Sequence, residues 1–123
     1  MSQKIFFTAV VVLYVILGVG NLLWPQEFIA GFGVSLTPAG VLMARVVATA
    51  AIAFAIIYWV CRDAGPSRLF TAVLYGSIAE KLIQVVLIVM AVNAGVFNSM
   101  GWVMAGLQSV LALGFAYFAF GKR

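Results

Sequence analysis

Apolar residues run along this chain in four long blocks, and each block is long enough to cross a bilayer. A span needs about 20 mostly apolar residues at 1.5 Å rise each. The first block runs from about Ile5 to Trp24, where Trp24-Pro25 closes it because proline cannot donate to the helix ladder. It is too long for the apolar core of a secretory signal and has no clear small-x-small cleavage site, so it reads as a retained span. The second covers about 39–60, the third about 68–92 and the fourth about 98–120.

Polar and breaker residues separate the blocks. Gln26 to Pro38 is the one sizeable loop, broken by Gly31, Gly33 and Pro38. Its Phe28, Ile29 and Phe32 suggest a segment lying on the membrane surface, with a short interfacial helix. Arg62 to Ser67 makes the next turn, with Pro66 or Ser67 able to start a helix, and Asn93-Ala94-Gly95 makes the last. Short connections favour sequential antiparallel packing. The predicted fold is all-α, a four-transmembrane-helix antiparallel bundle, forming one domain over residues 1–123 with no repeat.

Composition agrees with lipid as the main solvent. Of 123 residues, 66% are hydrophobic and 8% charged, with mean hydropathy +1.20, against roughly 25% charged in a soluble domain. The net charge of +4 acts through its placement. Lys4, Arg62, Arg68, Lys122 and Arg123 fall on one side of this topology and only Glu27 on the other. That asymmetry predicts both termini in the cytoplasm, and a bacterial inner membrane is the expected location. Phe6, Phe7, Tyr58, Trp59, Tyr117 and Phe118 would form the inner aromatic belt, and Trp24 and Trp102 the outer one. The tail Lys122-Arg123 reads as a topology anchor, with no nucleic-acid partner implied.

Helices in lipid associate by close packing and interhelical hydrogen bonds. Ala44, Ala48, Ala51 and Ala55 form a small-residue stripe in the second span, and Gly101, Ala105, Ser109, Ala112 and Ala116 one in the fourth. Gly18, Gly76 and Ala79 are further expected points of close approach.

Three charges break the apolar pattern: Arg45, Glu80 and Lys81. Each costs about 2.5–3.5 kcal/mol near a helix centre on insertion scales. Counting at 1.5 Å per residue puts Arg45 about 9 Å below the outer edge. Glu80 falls about 12 Å below it in a core of about 30 Å, and Lys81 lies at nearly the same level. Asn21, Gln84 and Gln108, with Ser77 and Thr49 one turn away, occupy similar depths. A polar patch in the outer half is therefore expected from Asn21, Arg45, Glu80, Lys81, Gln84 and Gln108.

Two readings of the patch stand side by side. In one, Arg45 and Glu80 form an ion pair that fixes helix register, while Lys81 snorkels outward along its own stem. In the other, the patch binds something or moves a proton: two cations against one carboxylate leave an excess charge, so that either Lys81 is neutral, or it reaches water, or an anionic or carbonyl-bearing ligand completes the set.

Histidine is absent and Cys61 is the only cysteine, so no ordinary zinc or haem ligand set exists and no cofactor is implied. Cys61 reads as a small apolar residue near a helix end, or as a reactive thiol. There is no phosphate loop, Ser-His-Asp set, HExxH or CxxC, and enzymatic chemistry is not expected.

The pattern suggests a non-enzymatic protein binding a lipid-like or quinone-like molecule, or a partner subunit. The alternatives are a proton-coupled oligomeric transporter or channel with Glu80 titrating, and a structural accessory subunit of a larger membrane complex.

Gly18 and Gly20 followed by Leu22-Leu23-Trp24-Pro25, then Phe32-Gly33-Val34, Arg45 before a small-residue stretch, and Arg62 at a helix end give the chain a further feature. In these residues it resembles the DoxX-like small four-helix membrane proteins. The resemblance implies four spans and a role beside other membrane or redox proteins. It does not extend to the Glu80-Lys81 pair.

Overall fold

A computed structural model describes residues 2–121; Lys122 and Arg123, two of the five expected cytoplasmic charges, lie outside them. The described residues form five helices: α1 (Gln3–Leu23), α2 (Pro25–Ala30), α3 (Pro38–Cys61), α4 (Arg68–Asn93) and α5 (Met100–Phe120). There is no strand among them. Four of these helices, α1, α3, α4 and α5, are long and apolar enough to cross a membrane. This is the all-α, four-span class that the apolar blocks predict.

Capping chemistry sets the ends. Ser2, Thr37 and Ser67 stand at the N-caps of α1, α3 and α4, where their hydroxyls accept from the Ile5, Gly40 and Phe70 amides. Pro25 at the first position of α2 and Pro38 at that of α3 lack the amide hydrogen that a first turn cannot use. The fourth span begins at Met100, two residues later than the apolar pattern suggests. The Asn98 carboxamide oxygen takes the Met100 amide at 2.9 Å. The Gly101 and Trp102 amides meanwhile reach back three residues, to Asn98 and Ser99.

Contacts divide the chain into two units, Met1–Asp63 and Ala64–Arg123. In unit 1, α1 and α3 run antiparallel. The Gln3 carboxamide donates to the Cys61 carbonyl at 3.0 Å at one end, and Arg45 reaches Leu22 at the other. Between them pack Phe7, Tyr14, Phe54 and Tyr58, with ring centroids 5.2–6.2 Å apart. Phe7 and Tyr58 are fully buried, and Phe6 and Phe118 are buried too. These four therefore do not form the interfacial belt expected of them; they fill helix contacts instead. Trp59 and Tyr117, like Trp24 and Trp102, are exposed.

The loop between α1 and α3 does contain a short helix, α2. The Gln26 side chain ties down the segment after α2, donating to the Val34 carbonyl and accepting from the Leu36 amide. Gly33 (φ 80°) supplies the left-handed turn between these points. The tip of the Phe28 ring lies against Gly20, where a β-carbon would fall on the Cζ end of the ring. Gly20→Ala is therefore expected to expel Phe28 and loosen α2. The gain in helix propensity, about 1 kcal/mol, offsets the lost contact, so overall stability changes little. Faster proteolysis within 25–30 checks this, and unchanged protection would contradict it.

In unit 2, α4 and α5 are antiparallel, with Val92 packed on Gly101 near the turn and Tyr75 stacked on Phe120 at 5.4 Å near the far end. Gly95 (φ 78°) turns the chain between them. The small-residue stripes are only partly as expected. Ala48, Ala55, Gly101, Ala105 and Ala112 are buried, but Gly76 and Ala79 are exposed, and no described residue approaches Gly76. The buried face of α4 runs instead through Phe70, Leu74, Ser77 and Lys81. That 4-3-4 spacing defines one side of a helix, and it places Gly76 and Ala79 on another.

Candidate functional site

The six polar residues expected to form one patch belong to different units: Asn21 and Arg45 to unit 1, Glu80, Lys81, Gln84 and Gln108 to unit 2.

In unit 1 both residues are engaged by backbone. The Asn21 carboxamide donates to the Leu17 carbonyl, one turn back, at 2.8 Å. Arg45 is exposed and its Nε donates to the Leu22 carbonyl at 3.1 Å. Leu22 is in the last turn of α1, where carbonyls lack an intrahelical partner. That turn contains no basic residue of its own. Arg45 thus supplies from α3 the cation that a helix C-terminus favours, worth about 0.3–1 kcal/mol when exposed.

The centre of polarity in unit 2 is Lys81. It lies thirteen residues after Arg68 and twelve before Asn93, at the middle of α4. Its side chain is 2% exposed. Snorkelling outward is therefore not its arrangement. Lys81 Nζ lies 3.5 Å from Glu80 Oε1, and the Glu80 side chain is 26% exposed. Adjacent helix positions do not face each other, yet the charged ends of these two side chains come within ion-pair distance. The local charge is balanced by these two groups, and the excess cation inferred from three charges is not a property of this cluster.

Ser77, Lys81 and Gln84 succeed one another at four and three residues, hence on one face of α4. The Ser77 hydroxyl donates to the Val73 carbonyl at 2.7 Å. Gln108 of α5 is 6% exposed. Its Nε2 donates to Met104 Sδ at 3.5 Å, a weak acceptor. Gln84 Oε1 and Gln108 Oε1 are buried and have no donor among the described residues.

The contact of Val92 with Gly101 sets the register between these residues. Gln84 lies about 12 Å along α4 from that contact and Gln108 about 10.5 Å along α5, at 1.5 Å per residue. The two orphaned oxygens therefore belong to neighbouring levels of one helix pair. A buried acceptor without a donor costs about 1–3 kcal/mol, so two at neighbouring levels leave this stretch of the helix pair polar and unsatisfied by the fold.

Two other features are not part of this cluster. Cys61 is a buried free thiol at the end of α3. A shallow groove of about 580 Å³ is lined by Pro66, Ser67, Arg68, Thr71, Ala72 and Tyr75, and Arg68 is about 20 Å along α4 from Lys81.

The sequence pattern points to Glu80, Lys81, Gln84 and Gln108, but not to Leu22 or Met104 as bonding partners of the polar residues. Met104 stands one turn before Gln108, which is a usable signal. The Leu22 carbonyl, a backbone atom, has none beyond its place at a helix end. No family model, curated protein or solved structure matches the chain.

Proposed function

We propose that this is a non-enzymatic integral membrane protein that binds an amphipathic small molecule through the polar level of unit 2. Its termini face the cytoplasm of a bacterial inner membrane, and the resemblance to DoxX-like proteins suggests work beside other membrane or redox components. One observation carries the binding reading. A lysine held 2% exposed at the middle of an apolar helix shares its helix pair with two buried amide oxygens that no donor among the described residues reaches. Ionisable groups at such depth are expensive and mark functional positions in membrane proteins.

In this reading Lys81 meets the ligand's polar head, Glu80 holds the ammonium in place, and Gln84 and Gln108 accept hydrogen bonds. The apolar body of the ligand lies among neighbouring side chains or lipid tails. Arg45 and Asn21 serve unit 1 and are not assigned to the ligand.

Native mass spectrometry of protein purified in mild detergent tests this. Wild type is expected to retain one small amphipathic molecule per chain, and Lys81→Met and Gln108→Leu to lose most of it. Equal retention by both variants, or a bare wild-type chain, overturns the assignment.

A further inference from the structure

The polar inventory of unit 2 is unbalanced in one direction. Lys81 already has the Glu80 carboxylate at 3.5 Å, so the level carries no surplus of positive charge that calls for an anion. It does carry two buried acceptors, Gln84 Oε1 and Gln108 Oε1, with no donor among the described residues. The Gln108 amide is held in this sense by Met104. Turning it over would replace an N–H donor to sulfur by an oxygen set against sulfur, two acceptors facing each other. What these two oxygens lack is a hydrogen-bond donor.

That deficit discriminates between head groups. A fully ionised phosphate or carboxylate brings acceptors only and leaves both amide oxygens as they are. An ether or an oxidised, carbonyl-bearing ring does the same. A neutral head with two hydroxyls supplies one donor to each glutamine, and its own oxygens can accept from the Lys81 ammonium. Sites that hold buried hydrogen-bonding groups reject analogues lacking the matching group far more strongly than apolar pockets reject a change of size.

We propose that the site takes a neutral amphipathic molecule whose head presents two hydroxyl donors, one to Gln84 Oε1 and one to Gln108 Oε1, and that it disfavours anionic and purely accepting heads. This rests on the binding reading above and names its ligand class.

The test uses three probes sharing one alkyl tail: dodecane-1,2-diol, its dimethyl ether and dodecyl phosphate. Each is titrated calorimetrically into the whole chain in an amine-oxide detergent, whose head carries no hydroxyl. The diol is expected to bind at least tenfold more tightly than either other probe. Gln84→Leu and Gln108→Leu are each expected to weaken the diol about tenfold and leave the other two probes unchanged. Apolar isosteres remove an orphaned acceptor without disturbing shape, so both variants should fold. Dodecyl phosphate binding most tightly, with loss in Lys81→Met, would overturn the donor inference and leave the site standing. Equal diol binding by wild type and the double leucine variant would overturn both.

Discussion

Replacing Glu80 by leucine is expected to destabilise the protein by about 3 kcal/mol, while the pair Glu80→Leu with Lys81→Met should recover most of that loss. Removing one member of a buried ion pair costs about 3–5 kcal/mol, because the remaining charge keeps its desolvation penalty, whereas replacing both members by apolar groups is often neutral or better. The lower end of the range applies here, since the pair is only partly buried: the Glu80 side chain is 26% exposed, while Lys81 is 2% exposed. Unfolding titrations in mixed micelles, run on the wild type, both single variants and the double, give the coupling directly. If Glu80→Leu alone falls within about 0.5 kcal/mol of wild type, the carboxylate is not what stabilises the lysine at the middle of α4.

Gly18→Leu should cost a similar amount, about 3 kcal/mol at the upper end for overpacking, by a different physical route. A β-carbon at Gly18 would lie 2.9 Å from Ile52 Cγ1, 3.3 Å from the Ala48 carbonyl oxygen and 3.4 Å from the Ile52 amide nitrogen. Two of these three neighbours are backbone of α3, so the helices must separate to admit a larger side chain. Contact between helices in lipid depends on such close packing. Gly76→Leu and Gly106→Leu are the controls, since no described residue approaches a β-carbon at either position. There the gain in helix propensity, about 0.8–1 kcal/mol, should leave stability equal or higher. The same unfolding measurement decides, and a Gly18→Leu protein as stable as Gly76→Leu would show that α1 and α3 do not depend on this contact.

How far the fold can be read from sequence differs from element to element for physical reasons. The four long helices are legible in block length and in prolines and N-cap hydroxyls, which are local features carried by side chains. Ser67 and Thr37 act as caps because their own oxygens reach the next turn. The aromatic residues are harder. Phe7 and Tyr58 near helix ends look the same in sequence whether they meet headgroups or each other, and only packing of α1 on α3 decides. Gly76 and Ala79 mislead for a related reason, since a small residue permits close approach without requiring it.

The candidate site is legible as an anomaly, a glutamate and a lysine inside an apolar helix. Its internal arrangement is only half visible. The spacing of Phe70, Leu74, Ser77 and Lys81 puts them on one helical side, but α4 is apolar all round, so only packing shows that this side is the buried one. That Arg45 serves the end of α1 is hidden because its partner is a main-chain carbonyl. The depth count that links Arg45 with Glu80 uses level alone, and level does not say which helix a side chain bonds.

The bond from Arg45 to the Leu22 carbonyl carries a consequence for biogenesis. A helix bearing an arginine near its start enters the lipid phase against a penalty of about 2.5–3.5 kcal/mol at full depth. The carbonyl that offsets part of it here belongs to the preceding span, α1. The second span therefore partitions most easily beside the first, which makes the α1–α3 hairpin, more than either helix singly, the natural unit of insertion as the nascent chain leaves the translocon.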